Sequence, residues 1–298
     1  MKFTKMEGIG NDYVYIDGTK EYIHDRKALA IRLSERHFGV GSDGLIIIDK
    51  SEIADFKMDM YNADGSNAEM CGNGIRCVGK FVYDKGLTDK TELSIETGAG
   101  IKTLKLYLQD NKVNEVEVDM GVPEFNPEKI PMNVAMPEGD TVDENGNKLV
   151  YAIMGYPLLA DKTQFKVTAL SMGNPHVIVF TANKEDMNYY MEEFGEIVSN
   201  HKLFPNKVNA EFVNIISPDT IEMRVYERGT GETYACGTGA TAAAIASYMN
   251  GYTGNEVTVK LKGGDLKVKW DLETHHAFLR GAATTVFEGE LDKSFWKK

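Results

Sequence analysis

The chain carries two copies of one short pattern, and that repetition narrows the folds open to it. Met70 to Lys80 reads MCGNGIRCVGK and Ala235 to Ala240 reads ACGTGA. In each copy a cysteine precedes a Gly-x-Gly that opens a helical pattern, so each thiol is expected at a helix N-terminus. There, free backbone N–H groups and the helix dipole favour a thiolate and also bind a carboxylate. The register extends outward: Tyr61 lies ten residues before Cys71 as Tyr226 lies ten before Cys236. Gly10-Asn11 precedes the apolar run Tyr13 to Ile16, as Gly173-Asn174 precedes Val177 to Phe180. Such a chain is expected to fold as two related halves with one cysteine in each. Two thiols facing each other across a pseudo-symmetric cleft can take a proton from one face of a carbon and return one to the other.

At 298 residues there is room for two domains, each with its own core. A net charge of -12 argues against nucleic acid, because phosphate binding needs a basic face. The longest uncharged run, Thr233 to Asn255, is scattered with Gly, Thr, Ser and Asn, and its Ala240 to Ala246 stretch reads as a buried helix of a soluble domain rather than a membrane span. No apolar signal segment follows Met1-Lys2-Phe3, so cytoplasmic residence is expected. Three cysteines without CxxC spacing and six histidines without an HxxxH pair suggest neither a disulfide framework nor a metal site.

Taken in order, Phe3 to Glu7 and Tyr13 to Asp17 alternate as strands around the loop Gly8 to Asp12, with Asn11 at its tip. Asp25 to Phe38 reads as an amphipathic helix capped by Asp25 and stopped by Gly39. Strands are expected at Leu45 to Ile48 and Asp55 to Tyr61, followed by the turn Asn62-Ala-Asp-Gly-Ser66 and a helix from Cys71 to about Lys85-Gly86. Cys77 falls inside that helix and reads as a small buried hydrophobe. Leu93 to Thr97, Ile101 to Leu108 and Val113 to Asp119 form a meander that closes the first domain. Pro123 to Pro157 is the least legible stretch, with an inserted hairpin expected at Asn145-Gly146. Strands Lys166 to Ser171 and Val177 to Phe180 then flank Gly173-Asn-Pro-His176. The acidic helix Glu185 to Asn200 follows, with strands Phe212 to Ile216, Ile221 to Tyr226, Glu256 to Lys262, Leu266 to Trp270 and His276 to Phe287 after it. The last of these is expected to return to the first domain. From position alone Asn11 reads as an ordinary turn residue and His176 as a core or surface histidine.

Six blocks together alter those last two readings. Phe3-Thr-Lys-Met-Glu-Gly-Ile-Gly-Asn-Asp12, Asn62-Ala-Asp-Gly-Ser66, MCGNG, Gly173-Asn-Pro-His176, Asn209-Ala-Glu-Phe-Val213 and Glu227-Arg-Gly-Thr-Gly-Glu-Thr-Tyr-Ala-Cys-Gly-Thr-Gly239 occur in the order found in the diaminopimelate epimerases, which this chain resembles from its N-terminus to about Gly281. Some family members have glutamine where this chain has Gly44. The resemblance implies a two-domain α/β fold of mostly antiparallel strands, each domain a sheet or barrel wrapped around a central helix, with the cleft between them as the site. The domains would be 1–119, completed by 281–298, and 120–280. It implies catalytic roles for Cys71 and Cys236, with support from His176 and Glu227. Substrate contacts would come from Asn11, Asn62, Gly72, Asn73, Asn174, Asn209, Glu227, Arg228, Gly237 and Thr238. It also implies an amino-acid substrate, no cofactor, no metal and a homodimer.

Removing an amino acid's α-proton places extra charge on its carboxylate. Without a pyridoxal electron sink, the reaction needs a base, an acid on the opposite face, and donors for that charge. The two thiols and the two sets of helix-terminal amides can supply all three. Three rival readings are a histidine- or proline-type racemase of the same architecture, a thiol hydrolase using Cys71 with His176, and a non-catalytic amino-acid-binding protein.

Overall fold

The computed structural model describes residues 1–134, 153–292 and 295, and the hairpin expected at Asn145-Gly146 lies outside them. The chain divides into two compact units, Met1–Asp119 with Arg280–Lys298, and Met120–Leu279. Both mix strands with two helices. The first contains β1 (Lys2–Gly8), β2 (Asn11–Asp17), α1 (Arg26–Ser34), β3 (Gly44–Asp49), β4 (Phe56–Asn62), β5 (Asn67–Ala68), α2 (Gly72–Asp84), β6 (Glu92–Thr97), β7 (Gly100–Gln109) and β8 (Lys112–Gly121). The second contains β9 (Tyr156–Ala160), β10 (Thr163–Ser171), β11 (Pro175–Thr181), α3 (Lys184–Ser199), β12 (Asn209–Ser217), β13 (Thr220–Glu227), β14 (Gly231–Thr233), α4 (Gly237–Met249), β15 (Glu256–Leu261), β16 (Gly264–Trp270) and β17 (Ala277–Ala282). Finally β18 (Thr284–Glu290) pairs antiparallel with β1.

The strand order repeats between units. In the first, β1 and β2 form an antiparallel hairpin, β2 runs parallel to β3 across α1, β4 returns antiparallel to β3, and β6 lies parallel to β4. In the second, β10 and β11 form the hairpin, β12 lies parallel to β11 across α3, β13 is antiparallel to β12, and β15 is parallel to β13. Even the outermost partners match, since β18 flanks β1 as β9 flanks β10.

Strand alternation sorts side chains between two helices in each unit. On one face, Val14, Ile16, Leu45 and Ile47 pack with Leu29, Ala30 and Leu33 of α1, while Val177, Val179, Ala210 and Phe212 pack with Met187, Met191 and Val198 of α3. The opposite face covers α2 or α4. Helix α2 is buried at nearly every position from Gly72 to Val82, and α4 from Gly237 to Ser247 except Thr238. A helix with small residues at its approach points can be enclosed this way. A Cβ on Gly79 would come within 2.9 Å of Leu106, and one on Gly74 within 2.8 Å of Ile46.

Several boundaries differ from the sequence reading. Helix α1 keeps its Asp25 cap, whose side chain accepts from the Ala28 N–H, but it ends at Ser34 rather than Phe38. The reason is local: the Glu35 carboxylate turns back to accept the N–H groups of His37, at 2.7 Å, and Phe38, and Val40 and Gly41 then both donate to the Leu33 carbonyl. The expected loop Gly8 to Asp12 tightens to the two-residue turn Ile9-Gly10, with φ of 50° and 89°. A β-branched residue in this left-handed region costs about 1–2 kcal/mol, a strain located next to Asn11. The strand expected over His276 to Phe287 is two strands broken at Ala283, and β9 starts at the very end of the Pro123 to Pro157 stretch and runs past it, where no strand was expected.

Candidate active site

The two cysteines occupy equivalent places. Each is the N-cap of a 13-residue helix, in extended backbone of φ/ψ −133°/118° at Cys71 and −124°/111° at Cys236. Each helix ends in the same motif. Leu87 N–H reaches the Val82 carbonyl and Gly86 N–H the Tyr83 carbonyl, as Tyr252 reaches Ser247 and Gly251 reaches Tyr248.

Around Cys71 the first unit gathers its own side chains. Gly10, at positive φ, delivers Asn11 to the start of β2, and alternation aligns Asn11, Tyr13 and Tyr15 toward α2. The Cys71 Sγ donates to Asn11 Oδ1 at 3.1 Å and accepts from the Gly74 N–H at 3.3 Å. Asn11 is fixed from behind, its Nδ2 donating to Asp43 at 2.8 Å, and Asp43 in turn is held by Arg36 at 3.0 Å. Tyr13 also hydrogen-bonds the thiol, and burial pushes its hydroxyl far above the ordinary tyrosine value. Tyr15 donates to the Gly74 carbonyl at 3.1 Å. Asn73, in the first turn, is buried and accepts from Arg76 at 3.0 Å. Asn62 spends its amide on Ser66 of its own turn, at 3.0 Å.

Around Cys236 the second unit builds a longer chain of polar groups. Buried Glu211 Oε1 meets His176 Nδ1 at 2.7 Å, and His176 Nε2 meets Asn174 Oδ1 at 3.0 Å. Asn174 Nδ2 donates to Thr238 Oγ1 at 3.3 Å, which lies 3.5 Å from Cys236 Sγ. His176 therefore reaches the thiol through Asn174 and Thr238. Glu227 accepts from Thr233 at 2.5 Å. Asn209 accepts from the backbone N–H of Arg228 at 2.9 Å, and its buried Nδ2 has no hydrogen-bond partner among the described residues. The Arg228 side chain is exposed, with a long 3.4 Å contact to the Asn206 carbonyl. Burial, with Glu227 and Glu211 nearby, pushes the Cys236 thiol well above the ordinary cysteine value, against the lowering expected of a helix N-terminus. Burial likewise raises the Glu211 carboxyl. Cys77, inside α2 and fully buried, is pushed up to about 12 and takes no part.

A cavity of about 450 Å³ lined by Lys80, Asp84, Lys85, Lys112 and Glu288 lies at the opposite end of α2 and contains none of these residues. The polar groups that sequence reasoning passes over are Glu211, Asp43 and Arg76. Glu211 stands inside the quoted block Asn209-Ala-Glu-Phe-Val213, and alternation from Phe212, which faces α3, already turns it toward α4.

The diaminopimelate epimerase family model matches residues 3–126 and 168–286 of this chain. The chain belongs to the diaminopimelate epimerase family. Curated diaminopimelate epimerases from Agathobacter rectalis and Acetivibrio thermocellus are 50% and 48% identical to it, each over 98% of this chain and 99% of theirs. Among solved structures, a phenazine biosynthesis protein of the PhzF family from Enterococcus faecalis shares the fold at 12% identity. Its TM-score is 0.64, covering 98% of each chain. The family places the protein among isomerases that work without pyridoxal phosphate, which suits an amino-acid substrate. Among the described residues no helix is long and apolar enough to cross a membrane.

Proposed function

We propose that this diaminopimelate epimerase family member interconverts LL- and meso-2,6-diaminopimelate by proton transfer between two thiols and the α-carbon. The observation that carries the reading is the duplicated helix N-terminus: one cysteine cap, one Gly-x-Gly turn and one asparagine after a left-handed glycine in each unit. One cysteine, as thiolate, takes the α-proton; the other, as thiol, gives its proton to the opposite face. The carbon inverts, and the roles are reversed for the return reaction. The amides of Gly72-Asn73-Gly74 and Gly237-Thr238-Gly239 bind the α-carboxylate, where charge develops as the C–H bond breaks. Arg228 captures the distal carboxylate as a two-pronged donor, and Asn11, Asn62, Asn174, Asn209 and Glu227 hold the remaining polar groups. A substrate with a second amino-acid head uses this set more fully than a one-centre amino acid would.

The same reading makes the protein a cytoplasmic homodimer, supported by the family resemblance; light scattering on the purified protein checks its mass. The test of the reaction is proton NMR of LL-diaminopimelate in D2O with reductant present. Loss of the α-proton signal with growth of the meso isomer is expected. A folded, reduced protein that leaves LL-diaminopimelate unchanged while exchanging the α-proton of another amino acid would overturn the substrate assignment.

A further inference from the structure

The match between units acts as an internal control on the two asparagines that follow a left-handed glycine. In the first unit Asn11 gives its Nδ2 to Asp43 at 2.8 Å and turns its Oδ1 to Cys71 at 3.1 Å. In the second, Asn174 points the other way: its Oδ1 faces His176 Nε2 at 3.0 Å, and its Nδ2 donates to Thr238 Oγ1 at 3.3 Å. An amide has one accepting end and one donating end, so its direction is chosen by the group behind it. Behind Asn11 stands an acceptor, Asp43. Behind Asn174 stands His176 of the same strand, backed by Glu211.

That direction extends to both ends of the series. Because Asn174 Nδ2 is spent on Thr238, its Oδ1 accepts from His176, which therefore carries a proton on Nε2. Thr238 Oγ1 has accepted from Asn174, and its single proton is left for Cys236 Sγ at 3.5 Å. At the other end His176 Nδ1 and Glu211 Oε1 lie 2.7 Å apart, with both residues fully buried, and Glu211 Oε2 has no hydrogen-bond partner among the described residues. A carboxylate would leave charge on that bare oxygen, whereas a protonated acid leaves a neutral carbonyl there and donates through Oε1 to Nδ1. Turning the Asn174 amide over would reverse every bond, move the ring proton to Nδ1 and demand the buried carboxylate. Burial raises the Glu211 carboxyl, in the same sense. The matching place in the first unit holds no acid: strand pairing sets Glu211 beside Ile178 as it sets Ile46 beside Tyr15, and a Cβ on Gly239 would meet Glu211 as one on Gly74 would meet Ile46.

We propose that Glu211 is a positioning residue: as a neutral acid donating to His176, it fixes a one-way series of hydrogen bonds that runs from His176 through Asn174 and Thr238 and ends on Cys236 Sγ. A fixed direction suits both states of that thiol. As thiolate, Sγ receives the Thr238 hydroxyl proton; as thiol, it meets a donor rather than an acceptor in Thr238, and its own proton is left for the α-carbon. These two consequences rest on the two-thiol reading above; the direction of the bonds does not.

Nitrogen NMR of protein labelled with 15N-histidine tests the direction without substrate, the His176 signals being those lost in His176→Gln. In the wild type they should be those of a neutral ring protonated on Nε2; a ring protonated on Nδ1, or on both nitrogens, would overturn the proposal. Glu211→Met keeps the bulk and removes the donor, so the Nε2–H form should no longer be held exclusively, while Glu211→Gln, whose amide can donate to Nδ1, should retain it. An unchanged tautomer in Glu211→Met would show that Glu211 does not set it. Turnover gives the second readout. Weakening one hydrogen bond to the thiol should lower kcat about tenfold in Glu211→Met. In a Thr238→Val background the same change should cost little more, because the series is already cut; losses that multiply would mean that Glu211 acts only through packing. If circular dichroism shows Glu211→Met unfolded, the wild-type tautomer and its retention in Glu211→Gln still decide. The D2O assay on the wild-type protein is read separately, so failure of the reaction and failure of the tautomer assignment are distinguishable.

Discussion

At the scale of single residues, the site divides into groups that touch the thiols and groups that hold those in place. Glu211 belongs to the second kind, and its removal has a computable sign. Burial raises its carboxyl in the folded chain, so the native state keeps a proton that the unfolded chain releases. Stability from this group is complete below about pH 4.3, the ordinary glutamate value, and declines as pH rises through the higher folded value. Glu211→Gln should flatten that slope, which urea midpoints measured across pH will show. Glu211→Ala, which leaves His176 Nδ1 without its carboxylate, should also lower turnover roughly 100-fold through misplacement of Asn174 and Thr238. Unchanged turnover would remove Glu211 from the site. The cysteines and the asparagines after Gly10 and Gly173 were legible in sequence because each is repeated at a fixed spacing. Asp43 and Glu211 were not, because each acts through a partner distant in sequence: Asp43 on Asn11 and Glu211 on His176.

At the scale of elements, α2 and α4 determine where the thiols sit, and both depend on how they end. Gly86 and Gly251 sit at φ of 67° and 74°, with no atom near the position of an added Cβ. Replacing either by alanine should therefore cost only the backbone strain of the left-handed cap, about 1 kcal/mol, seen as a lower thermal midpoint with activity retained. Gly239→Ala differs in kind. Its Cβ would lie 2.6 Å from Glu211 Oε1, so activity should fall by more than stability does; equal losses would mean that the acid is not positioned by that approach. Most elements were readable from periodicity. The end of α1 was not, because a Glu35 side chain, rather than Gly39, captures the following N–H groups. Strand β9 was hidden beside a proline-rich stretch, and an unbroken alternation concealed the break at Ala283 between β17 and β18.

At the scale of the whole molecule, the duplication is one of topology, extending from strand order to helix caps, and each unit completes its sheet in a different way. The second takes β9 from just before its hairpin, while the first must wait for β18 at the other end of the chain. Deleting Thr284 to Lys298 should therefore expose the edge of β1. Hydrogen exchange of the Lys2 to Glu7 amides should accelerate while the amides of β10 keep their protection; retained protection in β1 would show that β18 is not its stabilising partner. The central claim, that one thiol removes the proton and a different one replaces it, is tested most directly by the position of the label in early turnover. In D2O, the first meso product formed from LL-diaminopimelate should carry deuterium at the inverted carbon while the remaining LL substrate still carries protium. Deuterium appearing equally in substrate and product from the first turnovers, or protium retained in the product, would mean that a single base serves both faces.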